Sequence, residues 1–147
     1  MAVMTGKNAT VKIKSGGSLK LVSYMSTASW SGFTSEGVEM SVFGLDYKLF
    51  KPVIIDSGTI EITGYYDPAD DGQEALNAAG AAGTELKAGD IAIELDEAGT
   101  TYVRPISGGT DNYWLVTKWN PITIDAKDIN KTSFTLRCSG QSEIVTA

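Results

Sequence analysis

The side chains able to do chemistry in this chain are eighteen carboxylates, one thiol and no imidazole at all. Without histidine, a Ser-His-Asp or Cys-His relay cannot be built and histidine metal ligands vanish, which removes most hydrolases. Cys138 stands alone, so an internal disulfide and a multi-cysteine zinc site are excluded. It alternates with Phe134 and Leu136 and reads as a small buried hydrophobe. Glu94 and Asp96 share one face of an extended segment, as a carboxylate pair for glycoside cleavage must, but alternating acids on a strand usually mark a solvated surface. Neither a G-x-x-x-x-G-K-[ST] nor a G-x-G-x-x-G stretch is present. Asp67-Pro68-Ala69-Asp70-Asp71-Gly72 imitates a calcium loop, yet the third and twelfth ligand positions fall on Ala69 and Ala78. The expectation is a chain that is no enzyme, with no catalytic or metal residues and no cofactor.

Helix capping explains the same acids without a metal. Asp67 can accept a backbone N–H, Pro68 suits a first helical position, and Asp70 and Asp71 complement the positive helix end. The spacing predicts a short amphipathic helix over about 68–79, with Ala69, Gly72, Leu76 and Ala79 on one stripe and Gly80 and Gly83 as stops. Just before it, Ile60, Ile62, Gly64 and Tyr66 alternate with Thr59, Glu61, Thr63 and Tyr65, the period of a half-buried strand.

Most of the remaining chain reads as strands. Val11 and Ile13 alternate with lysines before Ser15-Gly16-Gly17-Ser18 turns into residues 19–25, a hairpin. Residues 26–32 fit a strand or a loop equally. Ile91, Ile93 and Leu95 lead through Ala98-Gly99-Thr100 into residues 101–105, a second hairpin. Residues 112–119 form another strand, which Asn120-Pro121 interrupts, and residues 132–138 the last strong one. Seven or more short strands and one helix predict a mainly β fold, a β-sandwich or small β-barrel with a flanking helix. At 147 residues a single domain spanning 1–147 is expected, and no apolar run is long enough for a membrane span. The opening residues lack the pattern of a secretory signal, so the product is expected to stay where it is made, in the cytoplasm.

Two distributions stand out. Between residues 43 and 57 a segment of exposed character carries Phe43, Leu45, Tyr47, Leu49 and Phe50, too apolar to remain in water, and is expected to pack as an arm against another chain. Charge is uneven too: residues 56–97 hold eleven acids against one lysine, whereas residues 1–55 hold six bases and three acids. Such an acidic middle does not grip a phosphate backbone.

The glycine-led strand running into Gly64-Tyr65-Tyr66-Asp67-Pro68-Ala69-Asp70-Asp71-Gly72-Gln73-Glu74-Ala75-Leu76 resembles the major tail tube proteins of tailed bacteriophages. Val42-Phe43-Gly44-Leu45-Asp46, Lys51-Pro52-Val53-Ile54-Ile55-Asp56-Ser57-Gly58 and Phe134-Thr135-Leu136-Arg137-Cys138-Ser139-Gly140 follow that family's order, although Val53 stands where the family tends to have glycine. The resemblance implies a virion structural protein made in the host cytoplasm, an arm laid on neighbouring subunits, and hexameric rings stacked into a tube whose sheets join as an inner β-barrel. Its implied partners are further copies of itself, a tape measure protein, and tail terminator or initiator proteins, with DNA passing through unbound. It also implies an acidic lumen, for which Glu85, Asp90, Glu94, Asp96 and Glu97 are the candidates, with no decision among them. The competing expectation is a monomeric β-sandwich binding module, of the carbohydrate-binding or adhesin kind, stacking ligands on Trp30, Trp114 and Trp119.

Overall fold

The computed structural model describes residues 9–40, 44, 46, 47, 49–96, 99–124 and 126–146, with backbone alone at 36, 38, 40 and 51–54. β1 (Thr10–Ser15) and β2 (Ser18–Val22) form a hairpin whose turn places Gly16 and Gly17 at φ 62° and 88°. The chain then turns at Tyr24, the one described non-glycine residue at positive φ, and enters β3 (Met25–Trp30) in a different sheet. β4 (Thr34–Met40) and β5 (Leu49–Asp56) form a hairpin of their own. β6 (Thr59–Tyr65), α1 (Asp71–Ala82), β7 (Ile91–Glu94), β8 (Tyr102–Pro105), β9 (Tyr113–Thr123), β10 (Lys131–Ser139) and β11 (Ser142–Val145) complete the described elements.

Three antiparallel sheets result, and none closes into a barrel. The first has five strands in the order β11-β8-β7-β1-β2, the second four in the order β3-β6-β10-β9, and the third is the β4–β5 hairpin. The two larger sheets share one core cluster. It takes Val11, Ile13, Ile91, Ile93 and Val103 from the first sheet, Ile60, Ile62, Trp114, Val116, Phe134 and Leu136 from the second, and Leu76 and Ala79 from α1. Strict alternation in β6 and β10 produces this directly, since every second side chain of each must enter the core.

Local chemistry departs from the sequence reading at three points. The helix begins three residues later than expected, because Asp70 and not Asp67 is its N-cap: Oδ2 of Asp70 accepts from Gln73 N at 3.0 Å. Asp67 instead closes a turn upstream, its Oδ1 accepting from Ala69 N at 3.0 Å, and Pro68 lies in that turn outside the helix. Gly80 does not stop the helix either. A Cβ there would lie 2.6 Å from Cε3 of Trp119, so glycine lets α1 sit directly on β9, and the stop is Gly83 at φ 66°. Finally, Pro121 does not interrupt β9. The strand is at the sheet edge, where a missing N–H is tolerated, and its pairing with β10 shifts register there. Residues 26–30 belong to a strand, which alternation alone could not separate from a loop.

Gln73 ties these parts together. It is buried, and its Nε2 donates to Ser23 O (3.0 Å) and Tyr65 O (2.8 Å) while its Oε1 accepts from Asp67 N (3.1 Å). Asp70 adds a second link to the same corner, accepting from Ser23 N at 3.1 Å. Thus one amide joins the β2–β3 corner, the end of β6 and the approach to α1. Gln73→Leu strands those three backbone groups and is expected to cost about 3 kcal/mol, against about 1 kcal/mol for Asp70→Ala, by urea denaturation. Equal costs would show that the cap and not the amide holds the corner.

Candidate assembly interface

Among the described residues, the β4–β5 hairpin is a sheet of its own and pairs with no strand of the other two. Its ladder runs from Thr34 opposite Asp56 to Met40 opposite Leu49. Tyr47 is 85% exposed, Phe50 62% and Ile55 65%, with Leu49 also exposed, so these apolar side chains stand uncovered among the described residues. The sequence had marked 43–57 as the arm; the hairpin is longer, beginning at Thr34. Phe43 and Leu45 lie outside the described residues.

The root of the hairpin is firmly bonded. Trp30 Nε1 donates to Ser57 O at 2.6 Å and the ring meets Phe33 edge-on at 5.0 Å. Ser57 Oγ donates to Gly140 O at 2.5 Å. Asp56 accepts from Gly58 N at 2.8 Å and from the Arg137 guanidinium at 2.6 Å, and these two bonds hold its carboxyl below the usual carboxylate range. Gly58, at φ 80°, is pressed against Ser31 and Gly32, where any Cβ would collide. Beside this root lies an open recess of about 1010 Å³ lined in part by Phe33, Ile55 and Ile106.

Four strands end the two large sheets, and they are not equivalent. At the β2 edge the first turn of α1 intervenes, with Gly72 backed onto Leu21 and Val22 so closely that its Cβ would sit 2.7 Å from Val22 Cα. β11 has only four residues. β9 is capped at its start, where Trp114 exchanges backbone hydrogen bonds with Leu86 (2.9 and 3.0 Å), and is free beyond. Among the described residues, no strand pairs with the outer edge of β3, which carries no charge and no proline, the devices that usually blunt an edge.

The acids expected near a lumen scatter over the surface, and most already have partners within the chain. Glu94 Oε2 lies 3.0 Å from Lys12 Nζ and Asp90 Oδ1 lies 3.9 Å from Lys14 Nζ, so both face β1 across the five-stranded sheet. Glu85 lies 3.9 Å from Lys87. Asp96 holds a turn by accepting from the Thr100 hydroxyl and from the backbone N–H of Thr100 and Thr101, and the Thr100 hydroxyl above all holds its carboxyl below the usual carboxylate range. Glu97 lies outside the described residues. Among the described residues no cluster of acids or cysteine could hold a metal ion, and no helix is long and apolar enough to cross a membrane.

The three tryptophans do not make a shared platform. Trp114 is fully buried, donating through Nε1 to Ser142 Oγ at 2.8 Å, Trp30 serves the arm's root, and Trp119 backs onto α1. What the sequence reading missed is the unprotected β3 edge; its signal was the uncharged, small-residue run Ser26-Thr27-Ala28-Ser29.

No protein-family model and no curated protein matches the chain. Solved structures do. The chain is similar, at 11% identity and a TM-score of 0.71, to a chain in the virion of a native gene transfer agent particle, covering 98% of itself and 100% of that chain. It is similar at 18% identity and a TM-score of 0.70 to a chain in the tube-terminating cap of the anti-feeding prophage, covering 100% of itself and 93% of that chain. The SPP1 tail tube follows at 16% identity and a TM-score of 0.62, with 99% of this chain and 80% of that chain covered. At such identities it is the fold that is shared: a mainly β tube-protein fold with one flanking helix.

Cys138 sits at the base of this surface, and burial pushes its thiol from 9.0 up to about 11. A thiol raised in the folded state lowers stability as pH climbs from the unfolded value toward the folded one, so unfolding should become easier between about pH 9 and 11. At pH 8 the native thiol is expected to react with a disulfide reagent only at the rate of unfolding. Immediate, stoichiometric reaction would mean the strand end is open.

Proposed function

We propose that the chain is the building block of a phage-type tail tube: copies close into hexameric rings, and the rings stack into a conduit for DNA. The observation that carries this reading is the likeness over essentially the full chain to chains of tail and tube assemblies, joined to a hairpin whose apolar side chains are exposed among the described residues. One of the similar structures is the tail of an empty gene transfer agent particle with C6 symmetry, which supports the six-fold ring. An arm whose target lies elsewhere on an identical copy makes a head-to-tail contact, and such contacts generate rings or open filaments.

The chain acts mechanically and electrostatically, with no reaction step. A net charge of −6 keeps the free subunit soluble and gives a passing polyanion nothing to adhere to. DNA therefore slides without specific binding. Tape measure, terminator and initiator proteins are the further partners of such a tube, and its place is the virion tail, after synthesis in the host cytoplasm. The binding-module reading loses its main support, since Trp114 is buried and the other tryptophans serve the fold.

Electron microscopy of the concentrated protein should show rings or tubes, and sedimentation should show mass rising with concentration. Tyr47→Asp combined with Phe50→Asp should leave a folded subunit that no longer assembles, because a charge on the arm must be buried in the contact. A wild-type chain that remains monomeric at every concentration and salt condition would overturn the reading.

A further inference from the structure

We infer that the β4–β5 hairpin is a hinged element held open by one exposed ion pair: Ser57 is its pivot, and the Asp56–Arg137 contact is a stay that keeps the hairpin from folding down over the recess beside its root. This is a property of the single chain and does not depend on assembly.

Burial sets the pivot. Ser57 is 2% exposed, and two hydrogen bonds tie it to the body, one from its Oγ to Gly140 O (2.5 Å) and one into its carbonyl from Trp30 Nε1 (2.6 Å). Because Ser57 is buried, breaking either bond leaves a polar group without a partner, so this point stays fixed. The other connection, between β3 and β4, passes through Gly32, which lies at φ 81° with open space where a side chain would be. Phe33, just beyond it, meets Trp30 edge-on at 5.0 Å, a ring contact that persists over a broad range of distances. A hairpin pinned on one strand and unobstructed on the other can rotate about the pin.

A second attachment off the pivot fixes the angle. Asp56 lies on the hairpin side of Ser57, and its Oδ2 accepts from the Arg137 guanidinium on β10 at 2.6 Å while Oδ1 accepts from Gly58 N at 2.8 Å. The Arg137 and Asp56 side chains are 47% and 41% exposed, so this pair, unlike the bonds of Ser57, answers to salt. An exposed pair shifts the ratio of held to released hairpins by about fivefold at most, which makes the stay releasable.

Release has a direction. The recess of about 1010 Å³ has the hairpin root on one side, through Phe33, Ile55 and Asp56, and the body on the other, through Ile106, Arg137 and Gln141. Phe33 is 55% exposed and Ile55 65%, so closing the recess removes apolar surface from water. The ion pair opposes that closure by fixing the separation of the two sides. With the stay in place the hairpin meets any docking surface already oriented, and without it the apolar root turns inward.

Spin labels at Phe50→Cys on the hairpin and Ser107→Cys beside Ile106 measure the hinge in dilute subunits, with native Cys138 buried. Asp56→Asn keeps an acceptor for Gly58 N but removes the charge, and should add a population at shorter distance, raising its ratio to the original one by roughly two- to fivefold. Arg137→Gln should do the same, and Arg137→Lys, which keeps the charge, should not. Salt at about 1 M, where the Debye length is about 3 Å, should reproduce the effect with the pair unaltered, which decides the matter even if a variant fails to fold. A distance distribution that neither charge removal nor salt changes, or a new population at longer distance alone, would overturn the hinge.

Discussion

A β-sheet protein must account for every backbone group at its sheet edges and corners, and in this chain that requirement decides most of the architecture. At the corner between β2 and β3 the chain leaves one sheet for another, and the carbonyl of Ser23 would be stranded there. The amide of Gln73 supplies the missing donor and, with the same side chain, binds Tyr65 O and Asp67 N. The position of α1 follows from this, because Gln73 must lie in its first turn to reach all three. Once α1 is fixed, Gly72 lies against β2 and Gly80 against Trp119, so the helix shields one edge of the five-stranded sheet and underlies β9. Among the described residues, the edges left unpaired are those of β3, the second half of β9 and the short β11.

How much of this could be read in the sequence depends on how local the cause is. The alternation of Ile60, Ile62 and Gly64, and of Phe134, Leu136 and Cys138, announced both central strands because a two-residue period needs no partner to be visible. The apolar content of the arm was equally plain in Tyr47, Leu49 and Phe50. The helix start was not, since Asp67 and Asp70 are equally good caps by type, and the choice falls to Asp70 through its bond to Ser23, 47 residues away in sequence. Gly80 looked like a stop because its real reason, the Trp119 ring, lies on another element. The acids of residues 85–96 looked unopposed for the same cause: Lys12 and Lys14 meet Glu94 and Asp90 only after β1 and β7 have paired.

That last point changes the electrostatic picture. An acidic stretch in the sequence is not an acidic surface once a basic strand lies beside it, and exposed pairs of this kind add little stability while removing net field. Local neutrality then matters more than the overall −6, because at physiological ionic strength fields fade within about 8 Å.

The root of the hairpin has a mechanical meaning. Trp30 bonds to Ser57, Ser57 to Gly140, and Asp56 to both Gly58 and Arg137, so β5 is anchored to β3 and to the end of β10 by separate hydrogen bonds around one short bend. A pull on the arm is shared among these anchors and passes into β6 and β10, whose long mutual ladder is loaded in shear, with many bonds resisting together. The arm behaves as a lever clamped at its base, and displacement at its tip is delivered to the central strands as torque.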